Sequence, residues 1–181
     1  MGLAKEQIVF DAAQIAAMVG SLAQAIIANH AKGEKLALVG IRTGGAHLAL
    51  RLQNALEALS GERIPTGLMD ITLYRDDWTR LHSRPKVGKT EIDFSVDRRT
   101  IVLVDDVLFT GRTIRAAMDA LIDFGRPRRI ELAVLIDRGH RELPIQPDYV
   151  GALLSTLSGE MIDVYLREQG AEKDQVIKRS L

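Results

Sequence analysis
Apolar positions along the chain recur with two different periods. Over 11–29, DAAQIAAMVGSLAQAIIAN, the residues Ile15, Met18, Val19, Leu22 and Ile26 return at helical spacing, and Asp11 stands where an N-cap belongs. Residues 35–41, KLALVGI, form a short apolar run of strand length, and 46–60, AHLALRLQNALEALS, predict a second helix. The stretch 67–74, GLMDITLY, alternates as a strand does, and 75–91, RDDWTRLHSRPKVGKTE, is polar, charged and aperiodic. A stretch of that length without a period reads as a mobile functional loop. Then 100–104, TIVLV, predicts a buried strand, 112–124 a helix ended by Gly125, and 129–136, RIELAVLI, another strand. Alternating strands and helices from 35 to 136 imply parallel strands with right-handed helical crossovers. Beyond 137 the segments are short and rich in Gly, Pro and Ser, which suggests a small appended lobe. The tail 166–181 reads as a surface turn plus a short edge element.

Composition narrows this picture in three ways. At 181 residues the chain is expected to form one domain, 1–181. The 24 basic and 24 acidic residues cancel, so no global field draws the chain to nucleic acid or membrane. With no cysteine, thiol catalysis, disulfides and thiolate metal sites are excluded, and a reducing cytoplasm is the natural location. The start lacks the pattern of a secretory signal, and no apolar run approaches 18 residues, which argues against a membrane span.

The stretch that carries chemistry is IVLVDDVLFTGRT, 101–113. Asp105 and Asp106 follow four apolar residues at the end of a buried strand. Two carboxylates placed there cost repulsion and desolvation unless something binds them. Sugar hydroxyls or a hydrated divalent cation do so. Aspartates after a strand also commonly cap the next helix. The loop that follows, Val107 to Thr113, holds Thr110, Gly111 and Thr113 and then opens a helix, whose N-terminal amides suit a phosphate. An acidic pair and a phosphate cradle a few residues apart fit a ribose 5-phosphate. The Gly-Lys-Ser/Thr of a nucleotide-binding P-loop is missing.

Here the chain resembles a known group. IVLVDDVLFTGRT is similar to the phosphoribosyl pyrophosphate motif of the type I phosphoribosyltransferases. LALVGIRTGGAHLA, DITLYRDD, DDVLFTGRTIRAAMDALIDFGRPRRI and LAVLIDRGHRELPI resemble the PyrR family, over about residues 35–151. These are bacterial pyrimidine-operon attenuation regulators that also act as uracil phosphoribosyltransferases. The resemblance implies an α/β fold of the type I phosphoribosyltransferase kind: a central, mainly parallel sheet flanked by helices, a flexible active-site loop and a small hood lobe. The hood is expected mainly over 137–170 with part of the N-terminus. It also implies uracil and phosphoribosyl pyrophosphate as substrates, UMP and pyrophosphate as products, Mg2+ as cofactor, and a homodimer or higher homo-oligomer.

Residue by residue, Asp105, Asp106 and Arg75 are the expected catalytic groups. Val107, Leu108, Phe109, Thr110, Gly111, Arg112 and Thr113 are expected to hold the 5-phosphate, and Thr43 with the backbone of Gly44 the pyrophosphate. Arg84 is a further pyrophosphate candidate, with Lys86 behind it. Arg138 is expected to contact nucleotide, and Ile162 to contact the base through its backbone under the lobe. His140 could shuttle a proton. No direct protein ligand to the metal is expected: Mg2+ would be carried by the substrate near Asp105 and Asp106. Where the family usually has Arg, this chain has Gly44, which removes a cation from the pyrophosphate site.

The family's second activity makes a different demand. RNA binding needs surface cations and stacking groups. Helix 11–29 has no Lys, Arg or His, and Gln146, Ala152 and Leu157 stand where basic residues are expected. Arg141 remains, and 126–129, RPRR, reads as a basic solvated turn. Three readings stay open: a uracil phosphoribosyltransferase, a UMP-responsive attenuator that binds pyr leader RNA, and a transferase for another base.

Overall fold
The computed structural model describes residues 5–76 and 88–180. Arg84 and Lys86 lie outside the described residues. In chain order the elements are β1 (Lys5–Phe10), α1 (Ala12–Asn29), β2 (Leu36–Ile41), α2 (Gly44–Ser60), β3 (Thr66–Met69), β4 (Thr100–Leu108), α3 (Arg112–Ile122), β5 (Arg129–Asp137), β6 (Tyr149–Leu153), β7 (Glu160–Tyr165) and β8 (Gln175–Ser180).

Five strands form one parallel sheet in the order β3-β2-β4-β5-β6. Its centre is β4, where Ile101, Val102, Leu103 and Val104 are all fully buried. Strand side chains alternate between faces, so Val102 and Val104 pack with α1 and α2 on one side, and Ile101 and Leu103 pack with α3 on the other. That is why a continuous apolar run, rather than an alternating one, marks this strand. Burial of each large aliphatic side chain contributes roughly 1.5–3 kcal/mol. Helix α1 starts on a reciprocal cap: Gln14 N donates to Asp11, and Asp11 N donates to Gln14. Strand order reverses between β2 and β4, and in open parallel sheets ligands gather outside the carboxyl ends at such a point.

Four expectations need correction. Residues 67–74 are not one strand: β3 stops at Met69 and a 3-10 turn, Thr72–Tyr74, follows. Arg115 Nη2 holds that turn against α3 by donating to Tyr74 O. Tyr149–Leu153 does not belong to the appended lobe but extends the main sheet beside β5, anchored where Leu132 N donates to Asp148. The tail is no edge element. β8 is the middle strand of a second, antiparallel sheet ordered β1-β8-β7, because the N-terminal strand, absent from the sequence reading, covers its other side. Finally, α1 does have the length and apolarity of a membrane span, with mean hydropathy 1.4 over 18 residues. Ile15, Val19, Leu22, Ala23 and Ile26 are instead buried in the core, and six of the other thirteen residues are alanine.

Candidate active site
Asp105 and Asp106 lie at the carboxyl end of β4, inside the strand rather than after it. Asp106 N donates to the Asp105 carboxylate and Val107 N to the Asp106 carboxylate. Asp105 is buried, and burial together with the charge of Asp106 holds its carboxyl well above the usual range. Burial also raises Asp106. Among the described residues neither carboxylate has a cationic partner. Hydroxyl donors or a cation beside the pair would offset this burial and repulsion.

Two helix N-termini flank the pair. The N-caps of α2 and α3, Thr43 and Gly111, make no side-chain cap, in contrast to α1. Capless ends leave amides with no intrahelical partner, and those amides suit anions. Around α3 the amides of Thr110, Gly111, Thr113 and Ile114 donate to none of the described residues, while Arg112 N reaches Thr110 Oγ1 at 3.3 Å. Gly111 has φ 91°, a left-handed turn that lets the loop enter the helix without a Cβ penalty. On the other side the Arg42–Thr43 peptide is cis, and α2 begins against β4. A Cβ on Gly44 would fall 1.9 Å from Asp106 Oδ2, and one on Gly45 2.3 Å from Val104 O. The Gly44 obstruction is a side chain that can turn aside, whereas the Gly45 obstruction is backbone, so Gly45 is the glycine this approach requires.

The structure thus brings Thr43, Gly44, Asp105, Asp106 and the 107–113 loop to one crevice. Arg138 joins them from the end of β5: it lies 4.0 Å over the Phe109 ring, donates to Glu160 O at 2.6 Å and to Thr156 Oγ1 at 3.2 Å, and burial draws its guanidinium below the ordinary arginine value. Ile162 sits on β7, which contacts β4 and forms the outer edge of its sheet, so backbone groups on that edge have no strand partner. The Ile162 side chain itself is buried in the core. Arg75 follows the 3-10 turn at the surface. His140 Nε2 lies 2.7 Å from Thr156 O, a bridging position between loops.

Two arginines have roles that sequence reasoning missed. Arg112 forms 2.6 Å ion pairs with Glu142 and Asp76. Arg141, considered as a cation for RNA, is nearly buried. It pairs with Asp137 at 2.5 Å and donates to Phe109 O and Ile145 O. With Glu142 N and Leu143 N donating to Thr110 O, the 137–145 segment clamps the phosphate loop from outside. The signal was the short polar cluster DRGHRE directly after a core strand, but its partner could not be read from spacing.

For a divalent cation, the described residues offer no cluster of three or more His, Asp or Glu side chains. Two carboxylates beside a phosphate cradle suit Mg2+, which keeps several waters and is held by one or two carboxylates plus substrate oxygens.

A family model for the phosphoribosyl transferase domain matches residues 7–169. The bifunctional protein PyrR of Desulfosudis oleivorans is 51% identical over 178 residues, 98% of both chains. That of Geobacter sulfurreducens is 47% identical over 98% of this chain and 100% of its own. Among solved structures, the hypoxanthine phosphoribosyltransferase of Trypanosoma cruzi superposes with a TM-score of 0.71 at 17% identity, covering 95% of each chain. A Staphylococcus aureus hypoxanthine phosphoribosyltransferase gives 0.69 at 18% identity, covering 94% of this chain and 90% of its own. These structural likenesses speak for the fold alone.

Proposed function
The chain belongs to the phosphoribosyl transferase domain family and, within it, to the PyrR proteins, and from that premise we propose how its residues act. It is a bifunctional PyrR: a uracil phosphoribosyltransferase, converting uracil and phosphoribosyl pyrophosphate to UMP and pyrophosphate, and a regulator of the pyr operon. One observation carries the transferase reading: a buried Asp105 and a half-buried Asp106 lie between two capless helix N-termini at the switch point of a parallel sheet.

The reaction is displacement at C1 of the ribose, through a transition state with oxocarbenium character. Asp105 and Asp106 hold the ribose hydroxyls and orient the ring. Thr110, Gly111 and Thr113 hold the 5-phosphate through backbone amides, with Val107, Leu108, Phe109 and Arg112 shaping the loop. Thr43 and Gly44 present the α2 N-terminus to the pyrophosphate, where Arg75 and Arg84 add charge from the 75–91 segment. The outer edge of β7 at Ile162 meets the base, and Arg138 ties the phosphate loop to that lobe. Uracil is a weak nucleophile, and holding it over C1 supplies much of the rate. Mg2+ would be carried by the substrate near Asp105 and Asp106, and the ion would supply charge neutralisation of the leaving pyrophosphate. No side chain forms a bond to the sugar.

The regulatory half acts on pyr leader RNA in response to UMP, which places the protein in the cytoplasm where the transcript is made. The chain forms a single domain, with the β1-β8-β7 sheet in its hood. The exposed, uncharged side of α1, which includes Ala12, Ala13, Ala16 and Ala17, supports assembly into a homodimer or larger homo-oligomer.

The deciding experiment is UMP release from uracil, Mg2+ and phosphoribosyl pyrophosphate. Wild type should turn over, and Asp105→Asn with Asp106→Asn should abolish release while circular dichroism stays native. Equal turnover would refute the site.

A further inference from the structure
Transfer needs two parts of the molecule at a set separation. The sugar and its phosphates lie on the main sheet, against β4 and the N-termini of α2 and α3, while the base meets the outer edge of β7 in the hood. Apolar packing attaches the hood: Ile162, Val164, Leu166 and Val176 are buried in the same core as Leu48 and Leu52 of α2. Apolar burial is non-directional, and a hydrogen-bonded fork adds the distance and direction that it lacks.

Arg51 of α2 supplies such a fork. Its Nε and Nη2 donate to the two carboxylate oxygens of Glu168 at 2.7 and 2.6 Å, and its Nη1 and Nη2 donate to those of Asp174 at 2.7 and 3.0 Å. The grip falls on the connection between β7 and β8. Glu168 lies in the 3-10 turn Arg167–Gln169, which packs on α2. Asp174 also accepts from Arg167 N at 2.9 Å, so both ends of the connection are tied to one point. Leu166, just before the turn, is fully buried, and Ile162 stands further back on β7. At the other end of the helix, Gly44 opens α2 two turns before Arg51, about 10 Å along the axis. One rigid element thus offers amides to the pyrophosphate at its start and holds the hood from its middle.

Stability alone is a poor account of this fork. Glu168 is exposed, and Arg51 and Asp174 are only partly buried. Ion pairs of that kind add little to folding, and the hood already has its apolar anchor. The bonds to Arg51 hold the Glu168 and Asp174 carboxyls below the usual carboxylate range, so the fork stays charged at neutral pH.

On the transferase reading above, we propose that Arg51 is a positioning residue: gripping Glu168 and Asp174, it sets the β7 edge that meets uracil against the α2 N-terminus that meets pyrophosphate. Arg51 itself touches neither substrate. Phosphoribosyl pyrophosphate is held on the main-sheet side and does not sense the fork, whereas uracil must be aligned over C1 by the hood.

The test is initial-rate kinetics of UMP release by the full chain, with each substrate varied in turn, beside thermal melts. On a scale of roughly 100-fold per 1 Å, a hood shift of about 0.5 Å slows transfer about tenfold. Arg51→Met, which keeps an apolar stem, should lower kcat/KM for uracil about tenfold. KM for phosphoribosyl pyrophosphate should stay within about twofold, and Tm should move by less than about 4 °C. Arg51→Lys should be as slow as Arg51→Met, because an ammonium is a point charge and cannot reproduce the planar fork. Glu168→Gln, at an exposed position, should lose part of the activity. Combined with Arg51→Met it should lose no more than Arg51→Met alone, the mark of one shared contact. If kcat/KM for uracil in these variants matches wild type, or falls only in step with Tm and with a rising KM for phosphoribosyl pyrophosphate, Arg51 is merely structural and its positioning role is refuted. If wild type releases no UMP, the transferase reading falls and the positioning role falls with it.

Discussion
Replacing Gly44 or Gly45 by alanine separates placement of the carboxylates from stability of the fold. A methyl on Gly44 would sit 1.9 Å from Asp106 Oδ2 and 2.4 Å from its Cγ. An ordinary contact lies near 3.5 Å, so the carboxylate must swing by about 1.5 Å. The obstructing atoms end a side chain, so the fold yields at little cost. A misplacement of about 1 Å costs roughly 100-fold in rate, or about 2.7 kcal/mol of transition-state stabilisation. For Gly44→Ala we expect kcat/KM for UMP formation to fall about 100-fold while Tm moves by less than about 3 °C. On Gly45 the obstruction is backbone: Val104 O at 2.3 Å and Asp105 Cα at 2.9 Å. Overpacking of that kind costs about 1–3 kcal/mol, so Gly45→Ala should lose activity and also lower Tm by roughly 3–10 °C. The assay is UMP release under kcat/KM conditions beside thermal melts of the same samples. Wild-type kcat/KM in Gly44→Ala would mean that the Asp106 position is immaterial to transfer.

The same aspartates shape the pH dependence of stability. Burial and the charge of Asp106 raise the Asp105 carboxyl in the folded chain, so its stabilising contribution is complete below the ordinary carboxylate range and is lost as pH rises through the raised value. Asp105→Asn should therefore melt above wild type at neutral pH and level with it at about pH 3, while losing transferase activity; a lower Tm at neutral pH would contradict the burial argument. Arg138→Met keeps much of the stem but removes the bonds to Glu160 O and Thr156 and the stacking on Phe109. Leaving Glu160 O without its donor and loosening the loop should raise KM for phosphoribosyl pyrophosphate about tenfold with a smaller change in kcat, and unchanged KM in initial-rate kinetics would show that the tie is dispensable.

Local pattern was enough for much of this protein. The helical spacing in α1, the apolar run of β4 and the Asp105–Thr113 order of acids, hydroxyls and glycine are all properties of neighbouring residues, and the physics that makes them helix, buried strand and phosphate loop acts over a few positions. The family resemblance rests on the same short stretches. What lies far apart in the chain was decided only by folding. Ile8 faces Ile177 across two strands, and neither segment has a period that reveals the other. Tyr149–Leu153 is too short to announce a parallel partner, yet β5 offers one and the strand takes it. Arg112 and Arg141 look in sequence like free cations, but Glu142 and Asp137 neutralise them. Whether a charge is spent or available depends on which opposite charge the chain brings within about 4 Å, and that distance exists only in the tertiary structure.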